Sequence, residues 1–101
     1  VKDPVFLAWV RTRPCVAAYL GRCRGAIQAH HAGARGLGQK CRDDESIPLC
    51  DGHHDLFHDG PVSDWPACWA TREERRDWIR MTISLTQAAF AARRVDLVVE
   101  F

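Results

Sequence analysis

The chain has 101 residues, a mass of 11.4 kDa, 47% hydrophobic residues and a formal net charge of +1. That length fits one small domain, residues 1–101, with a core modest enough for a metal or other staple to help it. No run of 18 apolar residues exists and the start carries no basic, apolar, small-residue leader, so neither a membrane span nor secretion is predicted and the cytoplasm is the expected compartment. The chain has no initiator methionine and begins inside a predicted helix, which leaves open a fragment or C-terminal domain of something longer.

Asp3-Pro4 reads as an N-cap followed by proline at the first helical position, opening a helix that should stop at Arg13, before Pro14, with Phe6, Val10 and Leu7 on its buried side. Cys15 to Cys23 follows as a short turn or hairpin, reversed at Gly21. "AIQAHH" (26–31) and "SIPLC" (46–50) read as two short strands, with the glycine-rich "AGARGLGQK" (32–40) between them as a long functional loop. Asp51 is placed to cap a short helix through His58, ended near Gly60-Pro61. In such a helix His54 and His58 are four residues apart and point the same way.

Residues 61–70 contain two prolines and no period, and read as a connecting loop anchored by Trp65 and Trp69. Thr71 and Glu74 form a T-x-x-E capping box for the longest helix, about residues 72–93, with Trp78, Ile79, Ile83, Leu85, Thr86 and Phe90 near its apolar side. Glu73 and Glu74 near its start and Arg93 and Arg94 near its end suit the helix dipole. The tail "VDLVVEF" reads as a terminal strand. The four tryptophans read as core and loop anchors rather than base-stacking platforms.

Charge is distributed in blocks. From Arg11 to Arg42 there are seven basic residues (Arg11, Arg13, Arg22, Arg24, Arg35, Lys40, Arg42) and no acidic ones. From Asp43 to Asp64 there are seven acidic residues (Asp43, Asp44, Glu45, Asp51, Asp55, Asp59, Asp64) and no Lys or Arg. Such blocks can set a cationic surface beside a site able to hold a cation; the plainer reading is a solvated face on each side.

All five histidines fall between residues 30 and 58, and two of the five cysteines lie between them. An odd cysteine count fits a disulfide framework poorly, and in a reducing compartment cysteines near histidines point to metal. Two sites can be assembled. Cys15, Cys23, Cys50 and His53 form a closed set suited to structural zinc, with C50-x-x-H53 presenting two ligands from one turn of backbone. Cys23 fits least well, because its spacing from Cys15 is longer than a usual knuckle; the alternative is buried free thiols. His30 with His54 and His58 forms a second set, three neutral imidazoles that leave room for water or substrate, as a catalytic metal requires. Strand neighbours point to opposite faces, so only one of His30 and His31 can face the ion, and the other is free to act as a base. Cys41 and Cys68 have no assigned role and read as free thiols.

The order H-H, glycine-rich segment with a lysine, acidic residue, then I-P-L-C-x-x-H-H-x-x-x-H resembles the HNH endonucleases of the ββα-metal superfamily, most closely the phage and prophage type that includes the recombination-enhancement nucleases. The resemblance covers about residues 15–58 well and the "W…REERR.W" segment weakly. It implies an α+β fold: a zinc-stapled ββα-metal core at about residues 26–60 with flanking helices. It implies His30, His54 and His58 as ligands of a divalent ion (Mg, Mn, Ni or Zn), His31 as general base, and Cys15, Cys23, Cys50 and His53 as the zinc staple. The expected reaction is metal-assisted hydrolysis of DNA phosphodiester bonds, leaving 5′-phosphate and 3′-hydroxyl ends, in a bacterial or phage-infected cell. Arg35, Lys40 and Arg42 are the candidates for contacts to the phosphates of double-stranded DNA. The family's middle asparagine would fall near Glu45 or Ser46, and neither is Asn, so the group that orients His31 is open between Asp43 and a backbone carbonyl. The alternative expectation is a catalytically silent, zinc-stabilised DNA-binding module on the same scaffold. Oligomeric state and cleavage of one strand or two are not specified by sequence.

Overall fold

The structure, a computed structural model, describes residues 2–33 and 42–99. Its first helix, α1 (Pro4–Val10), begins as the sequence predicts: the Asp3 side chain accepts a hydrogen bond from the Phe6 N–H, and Pro4 occupies the first turn. Phe6 and Val10 are buried. The helix ends at Val10 rather than Arg13, because the chain tightens there: Thr12 and Arg13 N–H groups turn back onto the Trp9 and Val10 carbonyls.

A 3-10 turn at Ala18–Leu20 and an extended reversal through Gly21, Arg22 and Gly25 then carry the chain into β1 (Ile27–His31). Gly21, Arg22 and Gly25 all have positive φ, at 75°, 62° and 80°. A Cβ at Gly25 would also collide with the Asp51 side chain, so position 25 excludes other residues twice over.

β1 pairs antiparallel with β2 (Ser46–Cys50), in a register that sets Ile27 opposite Cys50, His30 opposite Ile47 and His31 opposite Ser46. Pro48 sits in β2 at no cost to the ladder. Its carbonyl accepts from the Val16 N–H, away from β1, and a residue's N–H and C=O leave a strand on the same side, so the missing donor faces outward. All five residues of β2 are buried. The strand lies at the centre of the molecule, touched by β1, α1 and both later helices.

The second helix, α2 (Asp51–Asp59), follows β2 without a loop. Its N-cap is Cys50, whose thiol accepts from the His53 N–H at 3.4 Å, and not Asp51. The Asp51 carboxylate instead turns to β1, accepting from the Ala26 N–H and the Gln28 side-chain amide. Gly60 closes the helix where expected.

Residues 61–70 form two 3-10 turns, with Trp69 fully buried and Trp65 Nε1–H donating to the Leu56 carbonyl at 2.8 Å. The last helix, α3 (Arg72–Val99), starts at Thr71, whose hydroxyl accepts from the Glu74 N–H and donates to the Glu74 carboxylate, both at 3.0 Å. Among the described residues the expected terminal strand is absent: α3 runs through residues 95–99. Nothing between Arg72 and Val99 breaks a helix, there being no Gly or Pro, and among the described residues the sheet consists of β1 and β2. Arg93 and Arg94 therefore lie inside α3 rather than in its last turn. Its buried stripe is Trp78, Thr82 and Thr86, flanked by half-buried Ile79, Ile83 and Phe90, while Leu85 is 60% exposed and falls off the stripe. The hydroxyls of Thr82 and Thr86 are tolerated in the core because each donates to a carbonyl one turn earlier, Ile79 and Thr82 respectively.

The central core gathers Cys15, Ala17, Ile47, Leu49, Cys50, Trp69 and Trp78. A second apolar contact joins α1 to α3 through Phe6, Trp9 and Phe90, with the Phe90 ring about 5 Å from each partner, edge-on. Among the described residues no helix is long and apolar enough to cross a membrane. The described residues thus form a small α+β arrangement of a two-stranded antiparallel sheet and three helices.

Candidate metal centres

Two clusters of ligand-type side chains are built around α2, one at its start and one along its length. At the start, Cys50 as N-cap and His53 one turn on are brought to Cys15, which enters from the segment after α1, and Cys23, which enters from the reversal before β1. Their four ligand atoms lie within 4.8 Å of one another. The His53 Nδ1 is 3.1 Å from the Cys50 sulfur, 3.6 Å from that of Cys15 and 3.7 Å from that of Cys23. Bonds of about 2.3 Å to sulfur and 2.0 Å to nitrogen give a tetrahedron around zinc edges of roughly 3.5–3.8 Å, so the set is sized for that ion.

The chemistry of the set agrees with its size. Cys15, Cys50 and His53 are buried, and three thiols crowd together. Cys23 is exposed as a residue, but desolvation of its sulfur within the cluster and the neighbouring thiols push its value up to about 12, and burial raises that of Cys15. Burial acts on Cys50 in the same direction but is outweighed by the backbone N–H groups of His53 and Arg24, which bring it to about 6. Without a cation this pocket holds one thiolate comfortably and resists three; a divalent ion removes that resistance. The spacing that made Cys23 doubtful is accommodated by the left-handed backbone at Arg22, which points the chain back toward α2.

The second cluster is His30 with His54 and His58. Its ligand atoms also lie within 4.8 Å of one another, and the rings meet edge to face at centroid distances of 4.6–5.2 Å. His30 reaches it because the even positions of β1 face α2, whereas His54 and His58 share one face of that helix by their four-residue spacing. His30 is 8% exposed, with Phe57 against its ring. Burial, and then the neighbouring His58 and His54, bring its value from 6.5 down to about 4. It is therefore neutral at physiological pH, the form that binds a metal. His58 lies at the exposed end, so a metal held there would keep coordination positions open to solvent.

His31 points the other way, at the exposed end of β1. Its Nε2 is 2.9 Å from the Asp43 Oδ1, and the other oxygen of that carboxylate accepts the Asp3 N–H at 2.7 Å. The Asp3 N–H and then His31 hold Asp43 below the usual carboxylate range. Of the two groups left open by sequence, the structure puts Asp43 at His31. The Asp3 main chain as Asp43's second partner was invisible in the sequence, since it comes from 40 residues away.

Of the three cationic residues expected near the loop, Arg35 and Lys40 lie outside the described residues, as does Cys41. Arg42 is exposed but engaged, its guanidinium gripping Asp44 through two bonds of 3.0 and 2.9 Å. Cys68 is a free thiol beside the Tyr19 hydroxyl.

The chain matches no protein-family model, no curated protein and no solved structure. Any functional conclusion therefore rests on the two centres themselves.

Proposed function

We propose that the chain is a metal-dependent DNA endonuclease of the HNH type, acting on double-stranded DNA in the cytoplasm of a bacterial or phage-infected cell. The observation that carries this reading is the pairing of an imidazole triad, His30, His54 and His58, with a separate exposed imidazole, His31, on the adjoining residue of the same strand. A structural site needs no such neighbour, and a closed Cys/His set already stands at the start of α2 to serve as the staple.

In this reading His31 takes a proton from the water that attacks phosphorus, and the P–O3′ bond breaks as the new P–O bond forms. A divalent ion held by the triad would supply Lewis-acid stabilisation of the charge gathering on the phosphoryl and leaving oxygens. Burial of His30 keeps one imidazole of the triad neutral at physiological pH, while the exposure of His31 and His58 leaves room for a polymer rather than a small enclosed ligand. Three exposed arginines from the first quarter of the chain, Arg11, Arg13 and Arg22, offer sequence-independent contacts to phosphates.

The test is supercoiled plasmid incubated with metal-stripped protein to which Mg²⁺, Mn²⁺, Ni²⁺ or Zn²⁺ is returned, beside His31→Ala. Metal-dependent nicking or linearisation that the variant loses supports the nuclease and the base. If neither protein cuts with any of the four metals while both retard plasmid on a gel, the domain is a zinc-stabilised DNA-binding module and the nuclease reading fails.

A further inference from the structure

We infer that Asp43 is the positioning residue of the reaction, fixing His31 in the tautomer that carries its proton on Nε2 and leaves Nδ1 bare to accept a proton from water. The inference rests on the nuclease reading and adds to it the group that prepares the base.

The argument starts from which partner can donate. An ionised carboxylate has lone pairs and no proton, so the 2.9 Å contact between Asp43 Oδ1 and His31 Nε2 requires the hydrogen on Nε2. A neutral imidazole has one N–H, so Nδ1 is then the acceptor. When Nδ1 takes a proton and the ring becomes cationic, the same carboxylate faces the new charge and stabilises it.

Asp43 is itself held from two sides, which distinguishes it from a chance surface pair. Its other oxygen accepts the N–H of Asp3, the residue that caps α1. The next carbonyl, that of Asp44, accepts the side-chain amide of Gln87 from α3. Both flanking helices thus fix the short 3-10 turn Asp43–Glu45 that carries the carboxylate, and Asp43 is far more buried than the ring it serves, 16% against 43% side-chain exposure. A flexible surface aspartate would cost rotamer entropy to hold a histidine; this one is already ordered by contacts that do not involve the histidine.

The discriminating substitution is Asp43→Asn. An asparagine can still accept the Asp3 N–H through its oxygen, so the docking of α1 survives, but it presents an NH₂ to His31. That reverses the donor, putting the His31 proton on Nδ1 and blocking the base. The expected result is a loss of cleavage rate by roughly 10²- to 10⁴-fold in single-turnover plasmid assays with saturating metal. In ¹⁵N-histidine-labelled protein the neutral His31 ring should change from Nε2–H to Nδ1–H. The loss should also vanish in a His31→Ala background, because Asp43 acts only through that ring. Asp43→Glu, which restores a carboxylate, should recover part of the rate, and zinc content and far-UV circular dichroism of all variants should match the parent.

Full activity in Asp43→Asn overturns the inference, as does a parent His31 ring found with its proton on Nδ1, or a rate loss that persists undiminished in the His31→Ala background. A parent protein that cuts plasmid with none of the metals fails differently: it removes the nuclease reading and the role of Asp43 with it.

Discussion

Each histidine of this chain takes its chemistry from its burial and from the group beside it. His30, almost completely buried, has its value drawn from 6.5 to about 4, and the direction has a consequence for stability. In the unfolded chain this ring binds a proton below about pH 6.5; in the folded protein it resists until about pH 4. Folding stability is therefore unaffected above the upper value, falls as pH drops between the two, and has lost about 3 kcal/mol at the bottom of the window. The measurement is urea unfolding of the parent and His30→Gln with the triad free of metal: the stability advantage of the parent should shrink by that amount between pH 7 and pH 4, and a constant difference would contradict the burial argument. At Cys50 one side chain does two tasks, as a helix cap and as a candidate ligand. Cys50→Ser keeps an oxygen able to cap α2 but loses the soft thiolate, so zinc binding should weaken by far more than helix content, read by metal titration and circular dichroism.

Among the elements, the reversal before β1 has the least freedom. Gly25 has a positive φ and its missing side chain is the space that Asp51 occupies, so Gly25→Ala should destabilise the fold by about 2 kcal/mol or more, seen as a lowered denaturation midpoint, whereas Gly21→Ala has open space and pays only for its φ. The capping of α3 is weaker and more local: Thr71→Ala should cost about 1 kcal/mol. Most of these elements were legible. The N-cap and proline of α1, both strands, the capping residue of α3 and the end of α2 at Gly60 are local signals, each decided within four residues of chain. The failures were of another kind. The tail "VDLVV" has strand-like composition, but a strand needs a partner edge, and α3 simply continues. Asp51 has the chemistry of an N-cap, but it is drawn to Ala26 and Gln28 on the neighbouring strand, leaving the cap to a cysteine that sequence reasoning would not choose.

At the scale of the whole molecule, α2 links the two centres, because Cys50 and His53 fix its first turn while His54 and His58 occupy its middle. The coupling should be one-sided. Removing the ion from the Cys/His set frees the start of α2 and displaces His54 and His58, so Cys50→Ser should weaken metal binding at the triad by at least tenfold; His58→Ala should leave the thiolate site intact. Cobalt substitution separates the two, since only the Cys/His centre gives thiolate-to-metal charge-transfer absorption.

The sequence by itself determined the composition of both centres: which cysteines and histidines were available, that His54 and His58 share a helix face, and that His30 and His31 must point apart. These follow from the periods of helix and strand, which act over a few residues. Tertiary structure alone decided that Cys23, despite its awkward spacing, reaches the zinc-sized set, that Arg42 is taken by Asp44, and that Asp43 meets His31 with Asp3 behind it. Each of those depends on chain segments distant in sequence meeting through the packing of α1 and α2 on a shared sheet, and no local pattern records where such segments meet.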